Sequence, residues 1–277
     1  MKKISKIALS LLAVATVTSL ASCGKQSKSD STKASQDTTK AKTILVGTSL
    51  APKPFTYKEG DTIKGYDIDL LRAIDKKLPD YKFKFEVTEF TSILTDLDTG
   101  RVQIGANNFG YTDERAQKYT FSKPVVKNPL VLVVKKGSGI KGFADLAGKT
   151  TTTGAGTNYT AVLEKYNAAH GNKIKINYTE ADWAKRLLEV EDGAVDFTLT
   201  DDLIAADVVK NQKLDKVDVV QITDDSINPN SYFLFAKDAD KKLVSQVNAQ
   251  ITAFKKDGTL EKISKEYLGK YNAPDDK

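Results

Sequence analysis

Cysteine, histidine, methionine and tryptophan each occur once in the 277 residues. A lone cysteine, Cys23, makes no internal disulfide, so a disulfide-stapled fold is excluded. His170 and an otherwise cysteine-free body argue against the usual Ser-His or Cys-His nucleophilic triads. There is no His-Glu-x-x-His segment and no run of zinc ligands, and Gly154-Ala155-Gly156 is too short for a phosphate-binding loop. No metal or organic cofactor is expected. Positive charge is also missing where it matters. Three lysines in residues 1–22 and five in 24–42, against Asp30 and Asp37, account for the whole net charge of +6. Residues 43–277 carry 34 basic and 34 acidic side chains, which rules down nucleic acid as a partner.

What is present begins with an address. Lys2, Lys3 and Lys6 precede an uncharged, mostly apolar stretch over 7–21, whose 15 residues fall short of the roughly 20 that a spanning helix needs. The pattern reads as a secretory signal over 1–22. Its end, Leu20-Ala21-Ser22-Cys23, looks like the lipobox of bacterial lipoproteins, in which the cysteine is lipidated and becomes the new N-terminus. A buried free thiol is the competing reading. Residues 24–42 hold no large apolar side chain and cannot offset their ordering entropy, so 23–42 is expected to be a lipidated cysteine and flexible tether. The expectation is a chain held by its lipid at the extracellular face of the cell membrane.

From residue 43 short β-type runs alternate with amphipathic helices. Strands are expected over 43–47, 81–87, 102–106, 130–134, 150–153 and 174–178. Helices are expected over 92–98, 159–168 and 181–191, and another capped by Asp67 that carries Ile68, Leu71, Ile74 and Leu78 on one face. This alternation indicates an α/β architecture with open, largely parallel sheets. The chain also matches itself. Ile93, Leu94, Leu97, Gly100, Val102 and Ile104 align with Arg186, Leu187, Val190, Gly193, Val195 and Phe197 at a constant offset of 93. The same offset sets Asn108 opposite Asp201, each expected just past a strand's carboxyl end, where open α/β sheets bind ligands.

Several segments together carry a resemblance. They are Pro54-Phe55-Thr56-Tyr57, Gly65-Tyr66-Asp67-Ile68-Asp69-Leu70-Leu71, Thr112-Asp113-Glu114-Arg115 with Tyr119-Thr120-Phe121-Ser122, Asp145-Leu146-Ala147-Gly148-Lys149, Gly156-Thr157-Asn158-Tyr159, and Lys256-Asp257-Gly258-Thr259-Leu260. In this order the chain resembles the extracellular solute-binding proteins of polar amino-acid ABC importers, solute-binding protein family 3, over 43–272. The resemblance implies a two-lobed, hinged periplasmic-binding-protein-like fold of type II that closes over one small ligand. Lobe 1 would comprise 43–125 with the returning 230–277, and lobe 2 would comprise 130–226. The crossings would fall near Pro129 and Pro229.

The same resemblance assigns a ligand site. Arg115 would clamp the ligand's α-carboxylate, since a guanidinium fork meets a carboxylate bidentately. Asp201 would take the ammonium, with Asp202 as the less favoured neighbour. Thr157 and Thr112 would cap helices, contact ligand, or do both. Asn107 and Asn108 would line the strand end, and Phe90 would form one wall, whereas Phe55 is expected in the core. Ser49, Pro52 and Gly110 depart from the family's usual residues, and Gly110 with Pro52 would leave room for a long ligand. Short stretches look like the cystine-binding branch, with glutamine or another polar amino acid still open.

The expected activity is capture and delivery to membrane permease and ATPase subunits by lobe closure, without catalysis and as a monomer from a Gram-positive bacterium. A dehydratase-like enzyme on the same fold and a ligand sensor are the rivals. His170, in Asn167-Ala168-Ala169-His170-Gly171-Asn172, reads as a helix-end residue rather than a catalytic one.

Overall fold

The computed structural model describes residues 41–275; the signal segment, Cys23 and most of the tether lie outside them. The tether's assigned limit at residue 42 is corrected, because Lys42 already opens a strand. The chain runs β1 (Lys42–Thr48), a hairpin of β2 (Tyr57–Glu59) and β3 (Thr62–Lys64), α1 (Tyr66–Asp75), β4 (Tyr81–Val87) and α2 (Phe90–Asp98). Next come β5 (Ile104–Gly110), α3 (Asp113–Lys118), β6 (Tyr119–Phe121) and β7 (Val126–Lys127). The second lobe holds β8 (Leu130–Lys135), β9 (Thr150–Thr153), α4 (Asn158–Ala169), β10 (Lys175–Tyr178), α5 (Trp183–Asp192), β11 (Phe197–Asp201), α6 (Asp202–Gln212) and β12 (Val217–Gln221). The chain then returns through β13 (Asn230–Ala236), α7 (Lys241–Asp257) and α8 (Thr259–Leu268).

Two large sheets result, ordered β4-β1-β5-β13-β6 with β7 on β13, and β10-β9-β11-β8-β12. In each, the first three strands are parallel and come from one β-α-β-α-β unit. The remaining pairings are antiparallel, because β8 and β13 run against the other strands, which corrects the expectation of largely parallel sheets. The reason lies in the connections. β8 and β13 are laid down as the chain passes from one sheet to the other, and a strand arriving that way needs no helical crossover. The offset of 93 is visible in the elements themselves, since α2 and α5 start at Phe90 and Trp183, and β5 and β11 at Ile104 and Phe197.

Element boundaries differ locally from expectation, with physical causes. Gly65, not Asp67, occupies the N-cap of α1, and no side chain caps it. The Asp67 carboxylate instead accepts the backbone N–H of Asn108 at 2.7 Å. Helix α1 stops at Asp75, and Leu78 is buried on the turn beyond it. The strand expected over 102–106 starts later and runs on to Gly110, so Asn107 and Asn108 lie within β5. Helix α5 starts at Trp183 because Asp182 caps it, accepting the Lys185 N–H at 2.8 Å.

Both faces of each sheet are covered, as parallel strands require. One apolar cluster joins Ile44, Val46, Leu71 and Ile74 to Leu243, Val247, Ile251 and Phe254 of α7, and continues into the second lobe at Leu187, Ile204 and Val208. Each fully buried side chain of this size contributes roughly 1.5–3 kcal/mol. Opposite faces are filled by Ile93, Leu97 and Phe109 in the first lobe and by Leu132, Leu163 and Phe197 in the second. The two crossing segments lie side by side. Asn128 N–H donates to the Pro229 carbonyl at 2.6 Å, and Lys127 and Val126 of β7 pair with Asn230 and Ser231 of β13.

Candidate functional site

The site grows from the carboxyl end of β5. Asn107 and Asn108 are adjacent there and do different things. The Asn107 side-chain oxygen accepts Ser49 N–H (2.9 Å), Ser49 Oγ–H (2.7 Å) and Thr56 Oγ–H (3.3 Å), which ties down the loop after β1. Asn107 is therefore a loop anchor. Asn108 has φ 51°, a left-handed backbone that asparagine tolerates better than most residues. That turn in the strand aims its amide across the cleft, where Nδ2 donates to Asp201 Oδ2 at 2.8 Å. Its Oδ1 accepts from Ser231 Oγ at 2.7 Å and from Asn128 Nδ2 at 3.3 Å.

Asp201 is the last residue of β11 and the N-cap of α6, and it is 1% exposed. Oδ1 accepts the Ile204 N–H at 2.8 Å, and Oδ2 accepts the Tyr159 hydroxyl at 2.5 Å besides Asn108. Burial raises its pKa, while the bonds from Tyr159, Ile204, Asn108 and Asn128 hold it down. Asp202 turns away. Its carboxylate faces Gln221 and the Lys270 ammonium, at 3.3 and 3.4 Å, on the outer surface.

Arg115 sits in the short helix α3, whose N-cap Thr112 accepts the Arg115 N–H at 3.1 Å. The guanidinium is buried against the rings of Phe109 and Phe90, 5.1 and 5.9 Å from their centroids. Nη1 donates to the Gly110 carbonyl (2.8 Å) and Nη2 crosses to the Gly156 carbonyl of the second lobe (2.9 Å). Burial lowers its pKa to about 10, so it remains a cation at neutral pH. Thr157 caps α4, accepting Thr160 N–H at 3.1 Å while its hydroxyl donates to the Gly154 carbonyl at 3.1 Å. Phe90 opens α2 and packs on Phe109 with ring centroids 5.6 Å apart.

The structure thus brings Arg115, Asn108, Asp201 and Thr157 to one seam between the lobes, with Thr112 and Phe90 behind Arg115. Phe55 is fully buried core, stacked edge-on against Tyr66. Gly110 does not open free space as expected. A Cβ there would lie 2.5 Å from Asn158 Nδ2, so the Asn158 amide of the other lobe already fills that volume. Sequence reasoning missed Tyr159, which ties Asp201 to α4, and Asn128, which links the crossing to Asn108 and to Leu203 N–H at 3.3 Å. Tyr159 stood in a quoted motif; nothing in the sequence marked Asn128. His170 ends α4, with Nδ1 2.8 Å from the Tyr166 carbonyl and its ring stacked on Tyr166. Among the described residues no three or more His, Cys, Asp or Glu side chains cluster as a metal site.

A family model for bacterial extracellular solute-binding proteins, family 3, matches residues 44–270. The chain belongs to that family. Among its family-3 relatives, the L-cystine-binding protein TcyA of Bacillus subtilis is 33% identical over 273 residues, covering 95% of this chain and 97% of TcyA. The L-cystine-binding protein TcyJ of Bacillus subtilis is 30% identical over 232 residues, covering 83% of this chain and 85% of TcyJ. Solved structures share the fold. One chain, from work on glutathione import in Gram-positive bacteria via GshT and the cystine ABC importer TcyBC of Streptococcus mutans, matches with a TM-score of 0.81 and 40% identity, covering 85% of this chain and 98% of that one. The two-lobed, type II architecture is the one this family shares.

Proposed function

We propose that this chain is the capture component of an ABC importer that takes a polar, sulfur-bearing amino acid, L-cystine foremost, between its lobes. The observation that carries this reading is the pair Arg115 and Asp201. They are buried charges of opposite sign from opposite lobes, each held by neutral partners and not by one another. A buried charge is costly until a counter-charge meets it. The carboxylate and ammonium of an α-amino acid supply one for each. Closure of lobe 2 (130–226) on lobe 1 (43–125 and 230–277) would complete the cage, so ligand binding shifts the open–closed balance. The closed face is then presented to a permease, with ATP hydrolysis in a separate subunit. Cys23 carries the lipid that keeps this monomer at the outer membrane face of a Gram-positive cell. The inventory of the cleft, a guanidinium, a carboxylate, amides and hydroxyls, suits holding a solute and assigns it no catalytic step.

Glutathione is a second reading, favoured by the 40% identical Streptococcus mutans chain. Its γ-glutamyl end presents the same free ammonium and carboxylate as an amino acid. Isothermal titration of residues 24–277, stripped of ligand, against L-cystine, glutathione and the twenty L-amino acids tests both. Binding of cystine or glutathione supports the reading, and silence across the panel refutes it.

A further inference from the structure

A second arginine converges on the same loop from the other side. Arg186, in α5, is 8% exposed, and its guanidinium packs over the Trp183 ring at 4.6 Å. Nε donates to the Ala181 carbonyl at 2.8 Å, and Nη2 reaches the Thr179 carbonyl at 3.4 Å. No acceptor among the described residues takes a hydrogen bond from Nη1, and the guanidinium forms no ion pair there. It presses instead on Gly154, where a Cβ would lie 2.8 Å from Nη2 and 3.4 Å from Nη1. The Gly154 carbonyl is bonded to the Thr157 and Thr160 hydroxyls at 3.1 and 2.6 Å, which fixes the loop's orientation. Gly156, two residues on, bonds Arg115. One three-residue loop, Gly154-Ala155-Gly156, therefore has a buried guanidinium at each end.

Tyr159 shows that these groups share one site. Its hydroxyl bonds Asp201, and its ring meets edge-on, at 5.3 Å, the same Trp183 ring over which Arg186 packs. Around Tyr159 stand two cations, Arg115 and Arg186, and the one carboxylate of Asp201. An amino-acid head satisfies Arg115 and Asp201, whereas Arg186 has only the Asp182 and Glu189 carboxylates nearby, neither of them hydrogen-bonded to it. The Nη1 edge has no protein partner among the described residues and is reached by solvent, so it is free to meet an anion, and its planar fork selects carboxylate geometry.

We infer that Arg186 receives a second carboxylate, at the end of the ligand remote from the amino-acid head. The inference rests on the reading that Arg115 and Asp201 hold that head. It narrows the ligand to elongated dicarboxylates, a class that holds both L-cystine and glutathione and excludes glutamine and methionine. Gly154 is part of the device, because any side chain there would stand in the guanidinium's way.

The test needs two ligand pairs and two variants. The pairs are glutathione with its glycine ethyl ester, and L-cystine with S-methylthio-L-cysteine, which keeps the disulfide but lacks the second head. Wild-type protein should bind the dicarboxylate about 10- to 150-fold more tightly than its single-carboxylate partner, the range for charge-assisted hydrogen bonds. Arg186→Gln should lose that same factor for the dicarboxylate and nothing further for the partner. Arg186→Lys, which keeps charge and stem, should fall between, and guards against a packing defect at Trp183. Wild-type protein that binds both members of a pair equally overturns the assignment, and so does an Arg186→Gln variant that weakens both equally. If no member of either pair binds wild-type protein, the head-group reading itself has failed.

Discussion

Replacing Gly110 with alanine places one methyl group where the lobes meet. Its carbon would lie 2.5 Å from Asn158 Nδ2, 2.7 Å from Cγ and 3.2 Å from Cβ. Carbon prefers a separation of about 3.5–4.0 Å, so the Asn158 amide must retreat by roughly 1 Å or the lobes must part. Overpacking of this kind costs about 1–3 kcal/mol. Gly110 ends a strand of the first sheet and Asn158 begins a helix of the second lobe, so the cost falls on the closed form and leaves the open form alone. If ligand binds only the closed form, affinity should drop roughly 5- to 150-fold, at about 1.4 kcal/mol per factor of ten. Titration calorimetry reads the affinity, and small-angle scattering reads the larger radius of gyration of ligand-free Gly110→Ala. Adding Asn158→Ala should restore both. Unchanged affinity in Gly110→Ala would refute the reasoning, as would a loss that Asn158→Ala fails to rescue.

The clamp itself is tested by Arg115→Ala and Asp201→Asn. Each should remove measurable binding, with thermal unfolding still cooperative, and micromolar binding retained in either would overturn the assignment. Asp67 predicts a pH effect. Burial raises its pKa from 3.8 to about 7, against the Asn108 N–H that favours the anion. The folded state therefore binds this proton more tightly than the unfolded chain, and the resulting stability is full below about pH 4 and is lost as pH rises through 7. The unfolding free energy of Asp67→Asn relative to wild type should widen by about 3 kcal/mol between pH 5 and pH 8 in urea titrations. Parallel profiles would show that Asp67 does not carry the proton. Cys23→Ser should release the chain into the medium of growing cells, and retention in the membrane fraction would discount the lipid.

Much of the frame was legible because periodicity reports local burial. The strands at 81–87 and 150–153 and the repeat at an offset of 93 follow from that. β13 was not, since its seven residues are buried throughout and carry no period, and their place between β5 and β6 is set by the chain's return. At the site, Arg115 was named from a motif and Asp201 from its matched position at the end of a strand. The division of labour between Asn107 and Asn108 was not, because it turns on one left-handed residue that reverses which side chain faces the cleft. Arg186 was visible only as a position in the repeat, matched to Ile93. Its guanidinium shows its role through Gly154, which is distant in sequence.

The matched positions Asn108 and Asp201 touch each other. Two acids there would repel, and two amides would leave the middle of the interface neutral. One of each puts a single carboxylate at the seam between the lobes. On the proposed reading, a solute entering the seam would have one favourable heading, its ammonium end toward Asp201. The orientation of the cargo would then follow from one mismatch between two matched positions.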